Sequence, residues 1–155
     1  MTQEDKKLLL KDLSARLTYG VKAYVKNWSK LDRKYYEGVY TVESIHPSLN
    51  NILAYSDNFS VEVIVGYDDY VIKPYLFPLS SMTEEQKNEC FKGTPLEIDK
   101  YGDIAVKDDL YGGSQYTDLE IYLEVINWLL KNHFDIYGLI PKGLAIDATG
   151  LNIYL

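Results

Sequence analysis

The sequence predicts an α+β fold: a mainly antiparallel sheet of about 5–7 strands packed with an N-terminal helix, a short middle helix and a longer helix in the C-terminal half. Three observations predict it. Apolar residues recur at helical spacing in separate stretches that open on a capping residue. Between those stretches apolar and polar residues alternate in short runs bounded by Gly, Pro, Asn and Asp. The strand runs fall in blocks broken by helices at the start, middle and end, not in a regular strand–helix alternation. A chain of 155 residues suits one globular domain, 1–155.

Thr2 followed by Asp5 reads as a capping box, and Leu9, Leu10, Leu13 and Leu17 follow at helical spacing. The first helix is expected at about 3–18, with Gly20 as its C-terminal cap. In 21–28, Val21, Ala23 and Val25 face one way and Lys22, Tyr24, Lys26 and Trp28 the other, which is a strand. A second strand is expected at about 36–45, broken by His46-Pro47. A short strand at 51–56 precedes a stronger one in which Phe59, Val61, Val63 and Val65 alternate with Ser60, Glu62 and Ile64. Gly66–Asp69 reads as a turn, and YVIKPYLF (70–77) as the hairpin partner of that strand, with Pro74 marking an edge or a bulge.

Ser81 with Glu84 and Thr83 with Gln86 form overlapping capping boxes before a short helix at about 83–92, stopped by Gly93 and Pro95. Residues 96–99 and 104–107 flank Lys100–Asp103 as a small hairpin. Thr117 with Glu120 opens the last helix, whose predicted buried stripe is Leu119, Tyr122, Leu123, Ile126, Leu129 and Leu130. The tail, 133–155, reads as irregular structure with one strand.

Hydrophobic residues make up 46% and charged residues 25%, which excludes a disordered chain. The single cysteine, Cys90, excludes an intramolecular disulfide and fits a reducing compartment. No apolar run approaches the ~20 residues a membrane helix needs, and the acidic, polar start lacks the form of a secretory signal. A cytoplasmic protein with no membrane partner is therefore expected. Net charge is −7, unevenly placed. Residues 1–37 hold nine Lys/Arg against five Asp/Glu, whereas 38–155 hold seven against eighteen. Such an acidic chain repels long nucleic acid, although a local basic patch can still hold a small anion.

Few residues fit bond-making chemistry. Cys90 with His46 or His133 has the residue types of a nucleophile and its base, but no spacing that joins them, and a buried thiol near a helix end is ordinary. Two distant histidines and one cysteine give no zinc spacing, and Asp68-Asp69 and Asp108-Asp109 are adjacent pairs whose side chains diverge in extended backbone. Gly112-Gly113-Ser114 precedes a helix but lacks a phosphate-loop lysine. No catalytic residue, metal or cofactor is expected.

Two surfaces remain. Lys22, Tyr24, Lys26 and Trp28 share one strand face, with Arg33 and Lys34 in the adjoining loop. Cations among aromatic rings are the chemistry that stacks bases and holds phosphates, and equally the look of a solvated face whose lysine stems lie over rings. The second set is acidic: Asp68, Asp69, Tyr70, Asp99, Tyr101, Asp103, Asp108, Asp109 and Tyr111 all fall in predicted turns. Gathered together they would dock on a basic protein; dispersed they confer solubility. Tyrosine, at 15 residues, suits either a half-buried strand or a contact surface.

Three segments, TQEDKKLLLKDLSARLTYGVK (2–22), VIKPYLFPLSSMTEEQKNE (71–89) and NHFDIYGLIPKGLAIDA (132–148), resemble a group of small proteins of gut Bacteroidales and their phages and prophages. The resemblance covers a little over a third of the chain and carries over no catalytic or ligand residue. It implies an accessory protein of a bacterium or mobile element. The expected function is binding without catalysis: an inhibitor or modulator of a host or defence protein, with a basic protein as partner. The alternatives are a binder that sequesters an anionic, nucleotide-like small molecule, and an enzyme whose site is assembled from scattered residues.

Overall fold

A computed structural model describes residues 1–56, 60–107 and 119–155. Helix α1 (Gln3–Arg16) opens on a complete capping box: Thr2 Oγ1 accepts from Asp5 N–H, and the Asp5 carboxylate accepts from Thr2 N–H. Leu9, Leu10 and Leu13 turn inward as their spacing predicts. Leu17, expected on the same stripe, is only partly buried, and Arg16 takes the fully buried place instead. A 3₁₀ turn, Leu17–Tyr19, carries the chain to Gly20, whose φ of 66° reverses it into the sheet.

The strands of the main sheet are β1 (Lys22–Ser29), β2 (Lys34–His46), β3 (Asn51–Tyr55), β4 (Ser60–Ile64) and β5 (Tyr70–Leu76). A further pair, β6 (Leu96–Ile98) and β7 (Ile104–Val106), forms the small hairpin, and β8 (Ile146–Asp147) lies in the tail. The main sheet runs β4-β3-β2-β1-β5-β8, antiparallel except for the β5–β8 pair. The register of β2 on β3 shifts between Val42 and Ser44, a bulge that bends the long strand. The sheet curls so far that the Asn27 amide on β1 donates to the Glu62 carbonyl on β4, three strands away in order (3.0 Å). Inside the curl Val21, Val25, Val42, Ile52, Val63 and Ile72 pack against Leu9 and Leu13 of α1.

One expectation fails. The segment 70–77 does not pair with β4 as a hairpin; β5 crosses to the free edge of β1, with Ala23 opposite Pro74 and Val25 opposite Ile72. That placement buries Ile72 and Leu76 in the first core and puts Pro74 where its missing N–H costs no outer ladder bond. The turn between β4 and β5 needs glycine. Gly66 has φ 91°, and a Cβ added there would collide with Lys6 Cε, which lies across it. Gly66→Ala is therefore expected to destabilise the fold by about 1–3 kcal/mol, read from chemical denaturation. Lys6→Ala in the same chain should recover only the steric share.

A second core lies beside the first. Helix α2 (Glu84–Phe91) opens on the Thr83–Gln86 box, the inner of the two predicted boxes. Its Cys90 and Phe91 pack with Leu79, Met82 and Leu96, and with Val125 and Leu129 of helix α3 (Leu119–Lys131). The predicted α3 stripe is only half realised. Val125, Leu129 and Leu130 are buried and Ile126 is partly so, but Leu119, Tyr122 and Leu123 are exposed. Among the described residues it is the C-terminal half of α3 that enters the core, through Val125, Leu129 and Leu130. Phe77, continuing β5, bonds to His133 O and Asp135 N and so joins the second core to the sheet. Among the described residues no helix is long and apolar enough to cross a membrane.

Candidate functional site

Strand period 2 sets the outer face of the sheet. Because Val21, Ala23 and Val25 are fully buried, Lys22, Tyr24, Lys26 and Trp28 point away from the core. The antiparallel register then adds neighbours that β1 alone does not reveal. On β2, Tyr35 stands opposite Trp28, Glu37 opposite Lys26 and Val39 opposite Tyr24. On β5, Lys73 stands beside Tyr24 and Val71 beside Lys26. Tyr35 and Val39 are 48% and 42% exposed, high values for a ring and a valine in mid-sheet.

The side chains of this face engage one another. The Trp28 and Tyr35 rings lie 4.9 Å apart at 60°, a geometry favoured by the ring quadrupoles. Lys26 Nζ sits 4.5 Å from the centre of the Tyr35 ring. Tyr24 O–H donates to Glu37 Oε2 (2.9 Å), and burial together with that carboxylate raises the Tyr24 pKa, so the hydroxyl stays a donor. These groups lie side by side across three strands and do not converge on a point. Such an arrangement suits stacking against a flat surface.

The remaining members of the predicted set sit elsewhere. Lys22 lies at the far end of the face, where its Nζ donates to the Ile153 carbonyl (2.9 Å) and its backbone N–H to the Tyr154 hydroxyl (3.3 Å). The C-terminal tail thus holds this lysine. Arg33 is exposed in the β1–β2 turn with φ 53°. Lys34 alternates with Tyr35 and so falls on the opposite side of β2, with its Nζ over the Tyr36 ring (4.7 Å). Asp32 braces that turn, accepting from Tyr36 O–H (2.6 Å) and Ser29 Oγ (3.1 Å), and these bonds lower its pKa.

The described residues of the acidic set fall in two separate turns. Asp68 and Asp69 are exposed in the β4–β5 turn, while Tyr70 is partly buried against the first core. Asp99 shapes the β6–β7 turn instead, its Oδ1 accepting from Tyr101 N–H (2.8 Å) and Asp103 N–H (3.0 Å). Tyr101 is exposed with Lys100 Nζ 5.0 Å from its ring centre. The two turns border different cores, and no described hydrogen bond or ion pair links them. Asp108, Asp109, Tyr111, the Gly112-Gly113-Ser114 stretch, Thr117 and Phe59 lie outside the described residues.

The candidate nucleophile and bases do not meet. Burial pushes the Cys90 thiol up to about 12, with Glu89 adding to the shift, so it carries no thiolate at neutral pH. His46 is exposed at the end of β2. His133 is buried against Tyr154, rings 3.8 Å apart and nearly parallel, and burial lowers its pKa to about 4. Among the described residues no group of three His, Cys, Asp or Glu side chains is arranged to hold a metal ion. Sequence reading missed two tightly held pairs: the buried Asp12–Arg16 ion pair and the partly buried Tyr154 stacked on His133. It also missed Tyr35, Glu37, Val39 and Lys73, which complete the outer face.

Comparison with protein-family models, curated proteins and solved structures finds no match for the chain.

Proposed function

We propose that this is a non-catalytic accessory protein of the bacterial cytoplasm that binds and modulates a host or defence protein. Its docking face is centred on Tyr24, Lys26, Trp28 and Tyr35. The observation that carries the reading is the ring-and-cation surface shared by β1, β2 and β5, with Tyr35 exposed and Tyr24, Lys26 and Trp28 half-buried. Trp and Tyr are the side chains most enriched at the energetic centres of protein interfaces, and they reach that role by burying large rings at small entropic cost. The resemblance of 2–22, 71–89 and 132–148 to proteins of bacteria and their phages supports the accessory role.

The test is affinity capture from host lysate with the parent chain and a Trp28→Ala/Tyr35→Ala variant, both checked for equal folding by circular dichroism. The parent is expected to recover a stoichiometric protein at physiological salt. The variant should recover at least roughly tenfold less, because hot-spot rings contribute about 2 kcal/mol or more each. Equal recovery by both, or none by the parent at low and physiological salt, would count against the reading.

A second reading has one observation in its favour: Lys26 poised over Tyr35 beside Trp28 resembles a stacking platform for an anionic, nucleotide-like ligand. Glu37, directly opposite Lys26, opposes an anion there, which is why the protein partner is preferred. Calorimetry with a nucleotide panel separates the two.

A further inference from the structure

Helix α1 keeps one side out of the core. Gln3, Lys7, Lys11 and Ser14 recur at helical spacing and are exposed. A cleft of about 360 Å³ runs between this stripe and the β2–β3 turn, with Leu10 and Pro47 in its lining. The same lining holds Lys6, Lys7 and Lys11 and no carboxylate. Two acids of the helix are already engaged: Asp12 pairs with Arg16, and Asp5 caps the first turn. The third, Glu4, is exposed three residues before Lys7.

The first half of α3 has the opposite character. Tyr122 and Leu123 are 42% and 49% exposed, with Glu124 beside them and Glu120 one turn earlier. Glu120 and Glu124 are four residues apart, as Lys7 and Lys11 are, so each pair spans about one helical turn. With two such helices antiparallel, Lys7 meets Glu124 and Lys11 meets Glu120, while Leu123 faces the cleft at Leu10 and Pro47. That direction also carries Glu4 toward Lys131, the one basic residue of α3. A segment of matching charge, with an apolar side chain for the cleft, is therefore present on the protein itself. Among the described residues of one copy no ion pair engages Lys7 or Glu124.

We infer that the protein associates with a second copy of itself, α1 of one copy lying antiparallel on the first half of α3 of the other. In each copy Arg16 of α1 reaches the Leu130 carbonyl at the end of α3. The two stripes thus belong to neighbouring helices, and a two-fold pair makes the contact twice. α1 packs inside the curl of the sheet, so the contact leaves the outer face around Trp28 and Tyr35 free. The inference is independent of the partner-binding reading and stands or falls without it.

The test is sedimentation equilibrium of the full chain. Each copy carries a net charge of −7, which opposes approach, and two helix stripes make a small interface. Association of the parent is therefore expected at about 0.1–1 mM protein and not at about 1 µM. Lys7→Glu and Glu124→Lys, each checked for parental folding by circular dichroism, should each weaken it by roughly fivefold, because an attractive exposed pair becomes a repulsive one. An equimolar mixture of these two variants should associate as the parent does, since each reversed charge then faces the other. Leu123→Ala should weaken association by roughly tenfold through lost apolar burial. A parent that stays monomeric at about 1 mM overturns the inference. So does association that all three variants share with the parent, or a mixture no tighter than its components.

Discussion

Replacing Arg16 with leucine is expected to cost about 3–5 kcal/mol of folding free energy, the range for removing one partner of a buried ion pair. Helix α1 places Asp12 and Arg16 one turn apart, and both side chains are fully buried. Arg16 Nε reaches both Asp12 oxygens at 3.0 and 2.9 Å, and Nη2 reaches Oδ1 at 2.8 Å. Burial pushes the Asp12 carboxyl up, and the guanidinium is what opposes it. Without Arg16 the carboxylate must either stay charged in the interior or take up a proton there. Two further hydrogen bonds are lost at the same time. Nη1 donates to Leu130 O (3.3 Å) and Nη2 to Phe134 O (2.6 Å), so a residue of α1 satisfies carbonyls at and just beyond the end of α3. Against a total stability of about 5–15 kcal/mol, the variant should show a large fall in urea midpoint or fail to fold.

The companion variant separates the two contributions. Asp12→Leu with Arg16→Leu removes both charges, and buried pairs replaced together by apolar residues are often close to neutral. The remaining cost is that of two lost hydrogen bonds, about 1 kcal/mol each, because Leu130 O keeps the His133 N–H and Phe134 O keeps the Ile136 N–H as donors. The double variant should therefore be more stable than Arg16→Leu alone. Equal destabilisation of the two would show that capping the end of α3, and not neutralising Asp12, is the work of Arg16.

The parts of this fold that sequence reveals are the local ones. Thr2 and Thr83 sit three residues before Asp5 and Gln86, and both boxes form because cap geometry depends on four consecutive residues. Val21, Ala23 and Val25 alternate and are buried because a strand has period 2 whatever its neighbours. The partner of β5 is a different kind of fact. Gly66–Asp69 does make a turn, which locally suggests a hairpin, but the free edge of β1 is settled by where Ile72 and Leu76 can be buried. Likewise the 3.6-residue period of α3 identifies Leu119, Tyr122 and Leu123 as one stripe without revealing that the helix buries its C-terminal half, Val125, Leu129 and Leu130.

The same division runs through the candidate site. Tyr24, Lys26 and Trp28 share a face by strand period alone, but Tyr35, Glu37 and Lys73 join them only through register. Lys34 reads as part of the set until β2 is seen to begin with it, which turns it to the other side. Arg16 carried a usable signal. Positions 9, 13 and 16 fall on one helical stripe, and Asp12 stands four residues before Arg16, so a charge in an apolar stripe had its counter-ion in place. The acidic turns could not be judged from sequence, because whether 68–69 and 99–103 gather depends on how the two cores sit side by side.

Stability is also expected to fall as pH drops from about 6.5 to about 4, with His133 responsible for a separable part of the loss. The residue follows α3 at φ 62°, and its Nδ1 is buried without a hydrogen-bond partner. Burial lowers its pKa from 6.5 to about 4, and the charges of Arg16 on α1 and Lys22 on β1 add to the shift. Above pH 6.5 the imidazole is neutral in both the folded and unfolded chains, and its contribution is fully present. As pH falls through the window the unfolded chain takes up a proton that the folded chain resists. Below about 4 both are protonated and the contribution is gone, a loss on the order of 3 kcal/mol. The strain falls on the tail, because Tyr154 stacks on His133 while its hydroxyl holds Tyr75 O (2.6 Å) and Lys22 N–H (3.3 Å). Burial raises the Tyr154 pKa, so that hydroxyl does not itself titrate in the window. His133→Asn keeps a side chain that tolerates positive φ and has no charge to gain. The unfolding free energy of the parent minus that of the variant, from urea titrations at pH 7 and pH 4, should shrink by the amount above. A difference that does not change with pH would assign the acid loss to the carboxylates and leave His133 a packing residue only.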